Sequence, residues 1–203
     1  MFQKLLLFVL LIFCLSSCKK SLDNFKLNSP DGKLSLQIEL REHKLNYQIN
    51  KEGKEKIGVS ELEILPNALV SILDASESEN DNTWQPVWGQ HSNIQDNFNE
   101  LQLDIDCEGV EGKLLARIYN EGVAFRFILN EGEKPQEAIL KCEYALPEGS
   151  NYFTPAGENE PLGPVSYSGL TDYLKEKSKR KRRINVPLVV ESPDQTFIAL
   201  LES

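Results

Sequence analysis

Both tryptophans of the chain fall in one short run, Thr83-Trp84-Gln85-Pro86-Val87-Trp88-Gly89. An indole face stacks on the apolar C–H face of a sugar ring, so Trp84 and Trp88 are candidate substrate-binding residues. Tryptophan is also a large core residue, and that reading stands beside the first. Pro86 has no N–H to give a helix ladder, so the run is not a regular helix. Other chemistry is thinly supplied. His43 and His91 lie far apart in sequence and form no zinc-ligand pair. The acidic residues are numerous but scattered, and no two stand out as a general acid and its partner. No glycine-rich phosphate loop, Ser-His-Asp set or nucleic-acid motif is present.

The N-terminus carries a different chemistry. Lys4 precedes an uncharged apolar run from Leu5 to Leu15. As a helix it would span roughly 17 Å, short of the ~30 Å hydrocarbon core of a bilayer. A basic residue before a short apolar run reads as a signal peptide over residues 1–17. Leu15-Ser16-Ser17-Cys18 reads as a lipobox, with Cys18 as the lipidated N-terminus; an ordinary cleaved signal with a chance cysteine is the alternative. Two or more acyl chains anchor stably where one does not. Residues 18–26 then form a lipidated tether, and residues 27–203 the folded domain. The expected setting is an exported lipoprotein of the periplasm, anchored by its lipid to the outer membrane, because Lys19 replaces the Asp of inner-membrane retention.

Cleavage would remove one lysine and take the formal charge from −9 to −10 (−9 − 1). So acidic a chain repels nucleic acid rather than binding it non-specifically. Of the cysteines, Cys107 and Cys142 would remain as thiols, able to join in an oxidising compartment or to stay apart. Lys175 to Arg183 holds seven basic residues in nine. It reads as a solvated loop between strands, with contact to anionic lipid heads or acidic glycans as the alternative.

The elements that position these residues read as strands. Leu34, Leu36, Ile38 and Leu40 alternate with polar residues, as do Leu45, Tyr47 and Ile49, which predicts a hairpin. Gly53 to Glu63 reads as a further strand pair, and Ala75 to Asn82 as an exposed polar loop. Leu101, Leu103 and Ile105 alternate; Lys113–Asn120 and Val123–Leu129 pair around Asn120-Glu121-Gly122, with Phe125 and Phe127 on one face. The prolines and glycines between Asn151 and Gly169 predict an ordered loop. A short helix near Leu170–Lys177 and strands over Ile184–Val190 and Thr196–Leu201 complete the chain. Many short strands with turn signals mean an all-β sandwich or barrel.

Trp84-Gln85-Pro86-Val87-Trp88-Gly89, followed by Asn97-Phe98-Asn99-Glu100, resembles the N-terminal domain of glycoside hydrolase family 97. Ser29-Pro30-Asp31-Gly32-Lys33 looks like that family's opening turn, and Gly122-Val123-Ala124-Phe125-Arg126-Phe127 like its central strand. Gln90 stands where the family often has Glu, and Phe98 where it often has Tyr. The resemblance implies a β-supersandwich of mostly antiparallel strands, galactose-mutarotase-like. It also implies an exported α-glucosidase or α-galactosidase acting on α-glycosidic oligosaccharides through a separate (β/α)8 barrel. In the family one calcium-ligating glutamate closes a strand at the end of this domain. Phe197-Ile198-Ala199-Leu200-Leu201-Glu202 looks like that strand, and alternation puts Ile198, Leu200 and Glu202 on one face. Glu202 would be the ligand, or else an exposed terminal side chain. Calcium takes about six to eight oxygens, so the ion is expected only with the barrel. The chain as given ends before a barrel, and is expected to be catalytically inactive alone. A stand-alone glycan-binding surface lipoprotein is the other reading.

Overall fold

Period-two burial organises most of the chain. A computed structural model describes residues 22–130, 132, 141–155, 161–175 and 184–202. The first strands are β1 (Asn24–Asn28), β2 (Leu34–Arg41), β3 (Lys44–Lys51) and β4 (Lys54–Glu63). They form one antiparallel sheet with β9 (Lys141–Cys142), in the order β1-β2-β3-β4-β9. A second sheet runs β5 (Val70–Trp84), β6 (Ile94–Cys107), β7 (Val110–Ile118) and β8 (Val123–Leu129) in chain order. The third is β11 (Leu162–Val165), β10 (Asn151–Thr154), β12 (Leu188–Glu191) and β13 (Phe197–Leu200) in spatial order, with helix α1 (Tyr167–Lys175) against it. The mainly antiparallel, all-β sandwich expected from the sequence is the fold observed.

Two sheets share one core. Leu34, Leu36, Ile38, Leu45 and Tyr47 from the first meet Leu101, Leu103, Ile105, Leu114 and Ile118 from the second. Each buried leucine or isoleucine contributes about 1.5–3 kcal/mol relative to exposure. Because side chains alternate, a one-residue slip would turn this whole set outward, so the core fixes the register. The Tyr47 ring meets Phe125 edge-on at 5.0 Å, and its hydroxyl donates to the Glu143 carbonyl. Burial pushes that hydroxyl's pKa well above its usual value.

Tight turns set the hairpins. Glu42 and His43 both take positive φ (49° and 63°), the pair of values that a two-residue turn matched to strand twist requires. At Gly112 the reason for glycine is space. A Cβ there would lie 2.7 Å from the Phe127 ring and 2.7 Å from the Ile128 carbonyl.

Four expectations need correction. The tether overlaps a strand: β1 starts at Asn24, and Phe25 is buried against the core. Gly53–Glu63 holds one strand, β4 (Lys54–Glu63), after the turn at Gly53, because Gly58 does not turn the chain; its N–H donates to the Ala145 carbonyl at 2.8 Å. Ala75–Asn82 is strand within β5, paired residue for residue with β6. It looked like a loop because its side chains leave the core, so cross-strand hydrogen bonds rather than apolar burial hold it. Asn151–Gly169 contains β10, β11 and the start of α1. The helix itself is close to where the sequence placed it.

Candidate functional site

Glu202 follows β13 and is exposed. Ile198 packs against the smaller apolar cluster, built on Tyr152, Leu170 and Val190, and Leu200 is half-buried, while Phe197 and Ala199 are exposed. Among the described residues, strand β13 pairs only with β12, Leu188 opposite Leu200 and Glu191 opposite Phe197. The turn of this hairpin is tied to the main sandwich. The Lys56 ammonium, buried at the foot of β4, donates to Asp194 Oδ2 at 2.5 Å and to Thr196 Oγ1 at 2.8 Å. That ammonium, with help from Thr196, holds the Asp194 carboxyl down to about 2. The anchor was not legible in the sequence, since its partners lie 138 and 140 residues apart.

The donor set for calcium is incomplete within this chain. Among the described residues, no three His, Cys, Asp or Glu side chains gather so as to hold a metal ion. One carboxylate supplies one or two of the six to eight oxygens that calcium takes. The described residues therefore do not themselves form a calcium centre.

Trp84 and Trp88 occupy another place. Trp84 ends β5 opposite Ile94, and Trp88 lies in the loop joining β5 to β6. Trp84 is 50% exposed, Trp88 86% and Val87 99%. The core reading of the two indoles is thereby set aside. Inward from the tip, Phe98 is buried under the Arg117 guanidinium at 4.1 Å, and Arg117 Nε donates to Glu100 Oε2 at 2.5 Å. The hydrogen bond from Arg117 to Glu100 and the stack on Phe98 were invisible as a pattern, because they join β6 to β7 across the ladder.

The remaining candidates are not brought together into a centre. His43 sits on the first hairpin turn, its Nδ1 3.3 Å from the Val70 carbonyl, and His91 is exposed in the β5–β6 loop. Cys107 and Cys142 are both free thiols, on β6 and β9. Burial, with Asp106 and Glu108 nearby, pushes the Cys107 thiol up to about 11, so it stays protonated at neutral pH. The signal segment 1–17, Cys18 and residues 176–183 of the basic run lie outside the described residues. Among the described residues, no helix is long and apolar enough to cross a membrane.

The family model described as Glycosyl-hydrolase 97 N-terminal matches residues 27–203. The chain belongs to this family. As a family 97 N-terminal domain it is 26% identical, over 217 aligned residues, to a retaining alpha-galactosidase of Bacteroides thetaiotaomicron. That alignment takes in 99% of this chain and 32% of the relative. Among solved structures, a Glycoside Hydrolase Family 97 enzyme from Pseudoalteromonas sp. strain K8, in complex with panose, is similar at TM-score 0.68 and 18% identity. The similarity covers 86% of this chain and 28% of that one. A beta-arabinopyranosidase is similar at TM-score 0.67 and 20% identity, over 86% of this chain and 31% of its own. These structures share the family 97 N-terminal fold with this chain, which spans about a third of the relatives' length.

Proposed function

We propose that this chain serves as the N-terminal module of an exported family 97 α-glycosidase and presents Glu202 to a calcium centre that a (β/α)8 barrel completes. The observation that carries the proposal is the setting of Glu202. It is an exposed carboxylate just past a strand whose turn is fixed to the sandwich through Lys56. A second domain could therefore meet it at a defined place. The barrel would supply the other calcium oxygens and the reacting carboxylates; this chain's part is to hold Glu202 in position. In the cell the module would ride on a lipid at Cys18, in the periplasm on the outer membrane, which labelling with a radioactive fatty acid in wild-type and Cys18→Ser cells would test.

The purified chain is expected to show no α-glycosidase activity on aryl-glucoside or aryl-galactoside substrates. Turnover that survives repurification and disappears in Glu202→Gln would overturn the proposal. The exposed indoles at Trp84 and Trp88 favour a second reading, a surface lipoprotein that binds glycans without catalysis. The gene downstream separates the two: a barrel-coding frame supports the first, unrelated sequence the second.

A further inference from the structure

The sandwich takes hold of the chain soon after Cys18. Leu22 packs against the main core, and the Asp23 carbonyl accepts from the Leu40 N–H at 2.8 Å. From Leu22 onward the chain is therefore part of the fold. Leu22 is four residues on from Cys18, and fully extended chain covers at most about 3.6 Å per residue. A lipid on Cys18 would thus keep Leu22 within about 14 Å of the membrane surface.

Strand pairing shows which end of the sandwich this is. Strand β1 runs inward from here, from Asn24 opposite Glu39 to Asn28 opposite Ser35. Glu42 and His43, the β2–β3 turn, follow directly on that pairing, and the His43 carbonyl accepts from the Val70 N–H at 2.8 Å. Val70 pairs with Cys107, which brings the β6–β7 turn at Glu108 and Gly109 to the same end. Residues 64–69, joining β4 to β5, lie here too, with Pro66 exposed and Leu69 50% exposed. Arg41, Lys44 and Lys141 are each paired with an acid, Glu39, Glu61 and Glu63, at 2.6, 3.0 and 3.1 Å. At the other end Asn99 Nδ2 donates to the Asn28 carbonyl at 2.8 Å, and β5 runs on past that contact to Trp84. The 15 residues from Val70 to Trp84 make roughly 46 Å of strand.

We propose that the end bearing the β2–β3 turn and residues 64–69 is a membrane-facing surface, with Pro66 and Leu69 against the phospholipid headgroups and the Trp84 end of β5 held away from them. The proposal rests on the lipid at Cys18 put forward above and adds the posture of the domain to it. The short reach from Cys18 decides which end is near the bilayer. Exposed apolar side chains then suit the boundary between headgroups and acyl chains. The paired cations leave this contact little dependent on anionic lipid. Lying flat on β5 is the competing posture. It would press Glu77, Glu79 and Asp81 towards anionic headgroups, with Lys26 the cation in the cleft beside Glu77 and Glu79. Standing on its end, the module keeps the β5–β6 hairpin free for whatever approaches from the aqueous side.

The test uses the full lipidated chain, taken from the membranes of expressing cells. It is placed in vesicles of phosphatidylethanolamine and phosphatidylglycerol, with or without a phospholipid brominated on its acyl chains. Bromine quenches tryptophan emission only at close range. The parent's tryptophans, Trp84 and Trp88, are its only ones, so its emission reports the far end alone and should be the same in both vesicles. Leu69→Trp, made with Trp84→Phe and Trp88→Phe, should lose emission about twofold on bromination, as a side chain at the interface does. Pro66→Trp in the same background reports the same loop, and circular dichroism shows which of the two variants is folded. Quenching of the parent as strong as that of the loop variants would overturn the proposal, and so would no quenching in a folded loop variant. Either result leaves the lipid at Cys18 standing. A chain that takes up no fatty acid at Cys18 would overturn the anchored reading and this posture together.

Discussion

At the scale of single residues, the contact between Lys56 and Asp194 governs how firmly β13 is held. The buried ammonium needs its partner, and the partner's carboxyl is held near 2 against an ordinary value of 3.8. A folded-state value below the unfolded one means the contribution is complete above the unfolded value and is lost as pH falls through the folded one. The stabilisation should therefore fade between about pH 4 and pH 2. Asp194→Asn is expected to lower the urea midpoint at neutral pH and to flatten the fall over that acid window. Urea curves for both proteins at several pH values, followed by circular dichroism, check it. A parallel pair of pH profiles would show that the pairing is idle. The residues that carry most meaning in the sequence are those in an unusual local run. Trp84 and Trp88 stand out by residue type and spacing alone, and both are exposed, one at the end of β5 and one in the loop after it. Lys56 does not stand out, because an ion pair between distant strands leaves no mark on the residues around it.

Among elements, the core strands and the outer end of the β5–β6 hairpin, which stays paired past the last β6–β7 pair Asn99–Ile118, obey different rules. Leu103 is fully buried on β6 between β5 and β7. Leu103→Ala should cost about 2–5 kcal/mol, read as a drop in unfolding free energy. Gly112→Ala should cost about 1–3 kcal/mol, since the new methyl would meet the Phe127 ring and a backbone carbonyl, of which only the ring can yield. A neutral result at either position would contradict the packing described. The same division explains what the sequence disclosed. Strands with one buried face, such as β2, β3 and β7, announce themselves by alternation. Strand β5 does not, since from Ser76 onward both faces are wet and nothing in the pattern separates strand from loop. Strands β10 and β11 were hidden by prolines and glycines. At Gly163 the glycine permits a close approach, where a Cβ would come 2.5 Å from the Tyr152 carbonyl.

For the molecule as a whole, the tip of the β5–β6 hairpin should be dispensable for folding. Replacing residues 83–95 by Asn-Gly would close the ladder at the pair Asn82–Asp96 with a two-residue turn. Only exposed or half-buried side chains would be lost. The shortened protein is expected to match the parent's unfolding free energy within about 1 kcal/mol, by urea titration. A larger loss would mean that the tip packs on the sandwich. The sandwich class was legible because strand length and turn spacing are local. The third sheet as a separate layer was not, because its seat depends on contacts such as Lys56 with Thr196 that only the folded chain creates.

The long rim of β5 has one more consequence. It is the outermost strand of its sheet, and past Val70, whose N–H donates to the His43 carbonyl, its outer side meets no further strand among the described residues and is able to recruit another chain's strand. Glu77, Glu79 and Asp81 recur there at every second position. Two such rims meeting side by side would crowd carboxylates together, a standing guard against fibril growth.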